Sequence, residues 1–215
     1  MKNMLYKEFK LAMHPTSIIF LSLSAMMLIP NYPYYMTFFY TSLAIYFTCL
    51  SGRENHDIFY SMTLPIRKRD IVKSRFISII LLQLVQVIIA IPFAVIRSTF
   101  RLPDNYVGIE ANVAFFGLSF LMLGLFNYVF FTKYYQNPEK VGIAFIWGTT
   151  VTTLFMIIAE ASVHAVPFMK NYLDTKDPKF LAYKVGILAA GIVLYSVLTL
   201  LSYQKSVRSF VTLDL

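Results

Sequence analysis

The side chains that could do chemistry gather in one stretch, Gly52 to Phe76. Two acids, Glu54 and Asp57, come first, followed by Ile58, Phe59 and Met62 at helical spacing. Leu64-Pro65 comes next, and a proline disfavours helix at the residue before it. A basic run then opens, so six Lys or Arg between Arg53 and Arg75 meet three acids. Gly52 lets the preceding helix end, and acids in the first turn of a new helix suit its dipole. The pattern predicts a short helix within 52–65, with an acidic start, an apolar face of Ile58, Phe59 and Met62, and a basic anchor behind it. The chemistry it fits is recognition rather than catalysis. An exposed Phe59-Tyr60 pair suits a docking surface, because buried aromatics anchor interfaces. A helix lying on lipid is the plainer reading of the same residues.

Catalytic constellations are missing from the rest of the sequence. No glycine precedes Lys-Ser or Lys-Thr, so no phosphate-cradling P-loop is present. There is no H-E-x-x-H, no cysteine pair for zinc and no G-x-S-x-G elbow. His14, His56 and His164 fall in separate segments and are expected to form no common site. The single cysteine, Cys49, cannot close an internal disulfide and is expected to pack inside a helix. The chain is expected to be no enzyme and to hold no metal or cofactor of its own. A few polar groups sit in apolar surroundings instead. Glu160 is costly at membrane depth and should face protein or a water-filled path, pair with Arg97 or His164, or sit hydrated near the headgroups. Gln83, Gln86 and Asn127 read as interhelical glue first and as path-lining contacts second. One isolated carboxylate disfavours an ion-coupled secondary transporter, which holds ions with several polar groups and broken helices. Pro92 could break a helix, though kinks are common in membrane helices.

The elements that carry these residues are apolar. Of 215 residues 58% are hydrophobic and 14% charged, and the mean hydropathy is +0.63. A soluble domain is about 45–50% apolar and about 25% charged. An all-α integral membrane protein of one domain, 1–215, is the expectation. A span needs about 20 apolar residues, and six segments qualify: 16–30, 34–51, 76–96, 111–132, 141–166 and 180–203. Pro30-Asn31-Tyr32-Pro33 is expected to turn the chain between the first two. Residues 1–14 carry Met1, Met4, Leu5, Phe9, Ala12 and Met13 on one face and Lys2, Asn3, Lys7 and Lys10 on the other. That predicts an amphipathic interfacial helix rather than a signal peptide. A net charge of +8 then marks cytoplasmic loops and anionic lipid, not nucleic acid. With the N-terminus inside, thirteen Lys or Arg lie on the cytoplasmic side and six outside, so both termini are expected in the cytoplasm.

Glu54, Asp57, Ser61 to Pro65, Arg67, Ile71-Val72 and Lys73-Ser74-Arg75 resemble the first cytoplasmic loop of ABC-2 type transporter permeases. Met62 and Thr63 separate Ser61 from Leu64, a looser spacing than the family's loop. The layout is similar too: an amphipathic N-terminal helix, six spans and no ATPase domain. The resemblance implies a membrane subunit of a bacterial ABC exporter, paired with a second permease, itself or a homologue, and with cytosolic ATPase subunits that bring ATP and magnesium. It implies that 53–64 is a coupling helix docking on the ATPase through Glu54, Asp57, Ile58, Phe59 and Met62, beside an N-terminal connecting helix. Among small members, exporters of amphipathic peptides such as phenol-soluble modulins look most similar. The aromatic content, 17%, suits such cargo, though lipid-facing and belt aromatics account for it more simply, and drug efflux or antimicrobial-peptide immunity fits the layout equally well. Glu160 and Glu110 would then attract cationic peptides. The alternatives are a membrane assembly factor or sensor with a partner-docking loop, and a secondary transporter.

Overall fold

The computed structural model describes residues 2–100 and 102–213. Met1 and Arg101, counted above on the N-terminal apolar face and among the outer cations, lie outside them, as do the side chains of Lys2 and Asn3. Every regular element among the described residues is helical. Helix α1, Lys2–Lys7, runs into one turn of π-helix at Glu8–Ala12. Helix α2, Thr16–Ser22, tightens into 3-10 geometry over Leu23–Leu28. Asn31 then takes a left-handed conformation (φ 55°), which its short amide side chain tolerates, and the chain reverses. There follow α3 (Tyr35–Glu54), α4 (Asp57–Thr63), α5 (Lys68–Thr99), α6 (Val113–Tyr134), α7 (Val141–Ala165) and α8 (Leu181–Val211).

Among the described residues four helices are long and apolar enough to cross a membrane: α5, α6, α7 with the turn that leads it from Pro138, and α8. They cover the last four expected spans. The first two differ from expectation. Thr16–Leu28 is apolar but short, and its second half is already overwound. Helix α3 has 20 residues, enough for about 30 Å at 1.5 Å each. Its tyrosines, threonines and serines keep it below the apolarity of the other four, and half of its residues are buried by neighbours. The helix that holds the third span begins at Lys68, not Phe76, because cations can continue a helix beyond the lipid. At about 48 Å, α5 exceeds the roughly 30 Å hydrocarbon thickness, so its ends stand clear of it. Pro92 does not end α5.

Helices α6 and α8 meet backbone to backbone. A Cβ on Gly191 would stand 2.0 Å from the Gly117 carbonyl oxygen, and one on Gly117 would stand 2.6 Å from that of Ile187. Only glycine permits that approach, the small-residue packing of membrane helices. One aromatic core, around Tyr34, Tyr35, Phe38 and Phe115, lies toward the C-terminal end of α5. The other, around Phe76, Phe130, Phe131, Tyr134 and Phe210, lies toward its N-terminal end. The N-terminal segment packs on the second through Met4, while Ala12 is buried and Tyr6 and Phe9 face outward.

Candidate functional site

Between α3 and α4 the backbone of His56 is left-handed (φ 50°, ψ 33°), so α4 turns away from the axis of α3. A buried ion cluster then fixes α4 in place. The Asp57 carboxylate lies 2.5 Å from Lys7 Nζ and also accepts from Arg75 Nη2. Arg75 Nε lies 2.7 Å from Glu8 Oε2, and Lys7 Nζ donates to Ser61 Oγ at 2.8 Å. Glu8 is 2% exposed and Arg75 3%. Two acids and two cations balance, as buried charges require. Burial alone would raise the pKa of Asp57. The Arg75 guanidinium and the Lys7 ammonium outweigh it and hold that carboxyl below the usual carboxylate range. The cluster ties α4, the N-terminal segment and the start of α5 into one unit.

What α4 leaves free is aromatic. Ile58 and Met62 turn inward onto the core, while Phe59 and Tyr60 are 59% and 62% exposed. The expected face of Ile58, Phe59 and Met62 is therefore split between the inside and the outside of the molecule. Glu54 is the last residue of α3, not part of the α4 first turn, and stands exposed 3.6 Å from Arg53. Asp57 does open α4, but the ion cluster occupies it. Beside Phe59 a notch of about 150 Å³ opens among Gly52, His56, Tyr134 and Pro138. Phe59 lines this notch while its ring and that of Tyr60 stay exposed.

The residues considered for a path are placed differently. Gln83 Nε2 donates to Asn127 Oδ1 at 2.8 Å, and Asn127 Nδ2 returns a bond to Gln83 Oε1 at 3.0 Å. Tyr195 and Thr199 on α8 complete this buried network. Gln86 Nε2 donates to Ser24 Oγ at 2.7 Å. These three side chains join helices within the chain. Glu160 Oε2 accepts from the Ile109 backbone N–H at 3.2 Å, directly over Gly108, where any Cβ would collide with the carboxylate. Its Oε1 is buried with no partner among the described residues. Arg97 pairs with Glu110 at 3.3 Å rather than with Glu160, and His164 bonds to the Val107 carbonyl. Glu110 is thereby buried and engaged, not free to attract a cation. Cys49 is buried inside α3, as expected.

Glu8, Lys7 and Arg75 are the residues that the sequence reading missed. One signal was present: Glu8 lies four residues from both Met4 and Ala12, a lone acid on an apolar face. Such an acid needs a cation from elsewhere. Nothing local in the sequence says that the cation is Arg75.

The family described as ABC-2 family transporter protein matches the chain over residues 3–211. No curated protein and no solved structure matches it.

Proposed function

The chain belongs to the ABC-2 transporter family, and from that premise we propose that α4 is the coupling helix through which its ATPase partner moves it. Membership makes the chain a multi-pass membrane subunit of an ABC transporter that associates with an ABC ATPase. The observation that supports the finer reading is the division of labour on α4. Asp57 and Ser61 lock the helix to Lys7 and Arg75, while Phe59 and Tyr60 stand clear. A push on those rings reaches α5 and the N-terminal segment together, since one ion cluster holds all three. ATP and magnesium reside on the ATPase, and this chain contributes differential contacts that shift a conformational equilibrium.

In this reading Thr16–Leu28 and α3 form a fifth and sixth crossing that re-enters on the α4 side, with both termini there, facing the cytoplasm of a bacterial cell. A second permease, a copy or a homologue, completes the path. The cargo is amphipathic, peptides of the phenol-soluble-modulin kind foremost, and travel is outward. Glu160, whose Oε1 has no partner among the described residues, is the carboxylate assigned to meet a cationic cargo; unchanged export after charge reversal at Glu160 removes that role.

The test is affinity purification of the tagged chain from its native membrane. The expected result is a stoichiometric P-loop ATPase that is lost with Phe59→Ala and weakened with Glu54→Ala while insertion is unchanged. Full ATPase retention by both variants overturns the α4 assignment.

A further inference from the structure

The two ends of the helix bundle hold their charge differently. Away from α4, three cations each meet an acid: Arg97 with Glu110, Lys176 with Asp104 and Lys184 with Asp177. Toward α4 the contacts between helices set a common level. Phe76 on α5 packs edge-on against Tyr203 on α8, and Lys68 donates to the carbonyls of Val211 and Leu213. Arg69 and Lys73 therefore stand level with residues 205–210 of α8. Ser206 Oγ donates to the Phe131 carbonyl and Tyr135 packs on Phe210, which brings Lys133 of α6 to the same level. That stretch of helix rises about 8 Å. Five exposed cations, Arg69, Lys73, Lys133, Lys205 and Arg208, thus share one narrow band. Asp70 is the one acid on α5, α6 and α8.

Three of these cations lean on amphipathic rings. Arg69 Nε donates to Tyr203 Oη at 3.3 Å, the Lys205 ammonium lies 4.6 Å from the centre of the Tyr128 ring, and the Lys133 ammonium lies 6.0 Å from that of Trp147. Tyr and Trp beside snorkelling Lys and Arg mark the depth of lipid headgroups. The matching level at the far end is Tyr183 on α8, packed with Phe168 and Tyr172, all three rings exposed. Tyr183 and Tyr203 lie 20 positions apart on α8. At 1.5 Å each that is about 30 Å, the thickness of the hydrocarbon. The band of cations is therefore at headgroup depth, with almost no acid to answer it.

We propose that this band is a binding surface for acidic phospholipids of the leaflet on the α4 side, with Lys73 and Arg208 contacting headgroup phosphate. Its charge selects an acidic head over a zwitterionic one, and its aromatic level fixes the contact at the depth of the lipid rather than in open water. The surface does not depend on the α4 assignment.

The test is electron spin resonance of spin-labelled lipids with the complete complex in phosphatidylcholine vesicles. Spin-labelled phosphatidylglycerol is expected to associate about threefold more strongly than spin-labelled phosphatidylcholine. The preference should shrink in about 1 M sodium chloride, which screens exposed charges. Lys73→Gln with Arg208→Gln should bring it close to unity with thermal unfolding unchanged. Lys170→Gln with Lys179→Gln, the same loss of charge at exposed positions of the other end, should leave it intact. Equal association of the two lipids, a preference that survives Lys73→Gln with Arg208→Gln, or one that both double variants reduce alike overturns the proposal. A preference abolished by inorganic phosphate at constant ionic strength overturns it in favour of a free-anion site.

Discussion

Arg75 and Arg97 stand near the two ends of α5, and both are almost fully buried. Each engages partners through Nε and Nη2 and leaves Nη1 without one among the described residues. The difference lies in where the partners come from. Arg75 reaches Glu8 and Asp57, from the N-terminal segment and from α4. Arg97 reaches Pro103 and Glu110, in the loop that follows its own helix. The same side chain, bonded in the same way, is a tie between distant segments at one end and a latch on a local loop at the other. A long-range tie transmits movement. A local latch holds a loop.

Breaking the tie should have the largest effect. Arg75→Met leaves Glu8 and Asp57 to share Lys7 alone, one buried charge short of balance, which costs about 3–5 kcal/mol. Thermal unfolding in detergent should fall accordingly, and ATPase association should fall with it. Adding Glu8→Gln to the same chain should recover most of the stability, because Lys7 and Asp57 then balance as a pair. A single Arg75→Met variant as stable as the parent would show that no such tie exists. Arg97→Met should cost less, about 1.5–3 kcal/mol, the worth of hydrogen bonds to a charged group. Glu110 keeps the Asn105 N–H at 2.7 Å, so it is not wholly stranded. ATPase association should not change. Equal loss of association in both variants would erase the contrast between the ends.

The contrast also explains what was legible in the sequence. The apolar blocks of α5 to α8 announce themselves, because lipid selects composition over a whole helix. Leu64-Pro65 marks the end of α4 because proline acts locally. The glue role of Gln83 and Asn127 was readable because amides in a membrane have few other uses. What depends on distant partners was not readable. Glu8 with Arg75 is such a pair, and Gly117 against Gly191 is another. Local rules also mislead where a helix runs past its apolar stretch: α5 starts at Lys68, and α3 carries Glu54 at its end. Which of Ile58, Phe59 and Met62 faces outward follows from how the ion cluster rotates α4, and spacing alone cannot supply that rotation.

Phe59→Ala sharpens the comparison by separating binding from stability. The ring is more exposed than buried, so stability should change by no more than about 0.5 kcal/mol. Association with the ATPase should weaken by about 2 kcal/mol, the level of an interface hot spot, or roughly 30-fold. Titration of the purified ATPase against nanodiscs holding the variant measures it. A drop in thermal stability without a drop in affinity would move Phe59 from the docking surface into the core.

The smallest effect is in pH, and the two ends should respond with opposite sign. Asp57, beside Arg75 and Lys7, has a depressed pKa. Its contribution is present above the unfolded carboxyl value of about 3.9 and is lost as pH falls through the folded value. Asp174 sits in the loop after α7, where burial raises its pKa despite the bond from the Glu110 N–H. A raised carboxyl favours the folded state below about 3.9 and loses that contribution as pH rises through the folded value. Acidification from neutrality should therefore first firm the end that holds Arg97, while the α4 end holds its ions. Only below about 3.9 should the α4 end loosen. Segment-resolved hydrogen exchange across that range separates the two, with Asp57→Asn and Asp174→Asn each expected to flatten the response of its own end. If both ends loosened together from neutrality downward, the two clusters would belong to one cooperative unit, and α5 would carry the coupling from α4 to the loop that Arg97 holds.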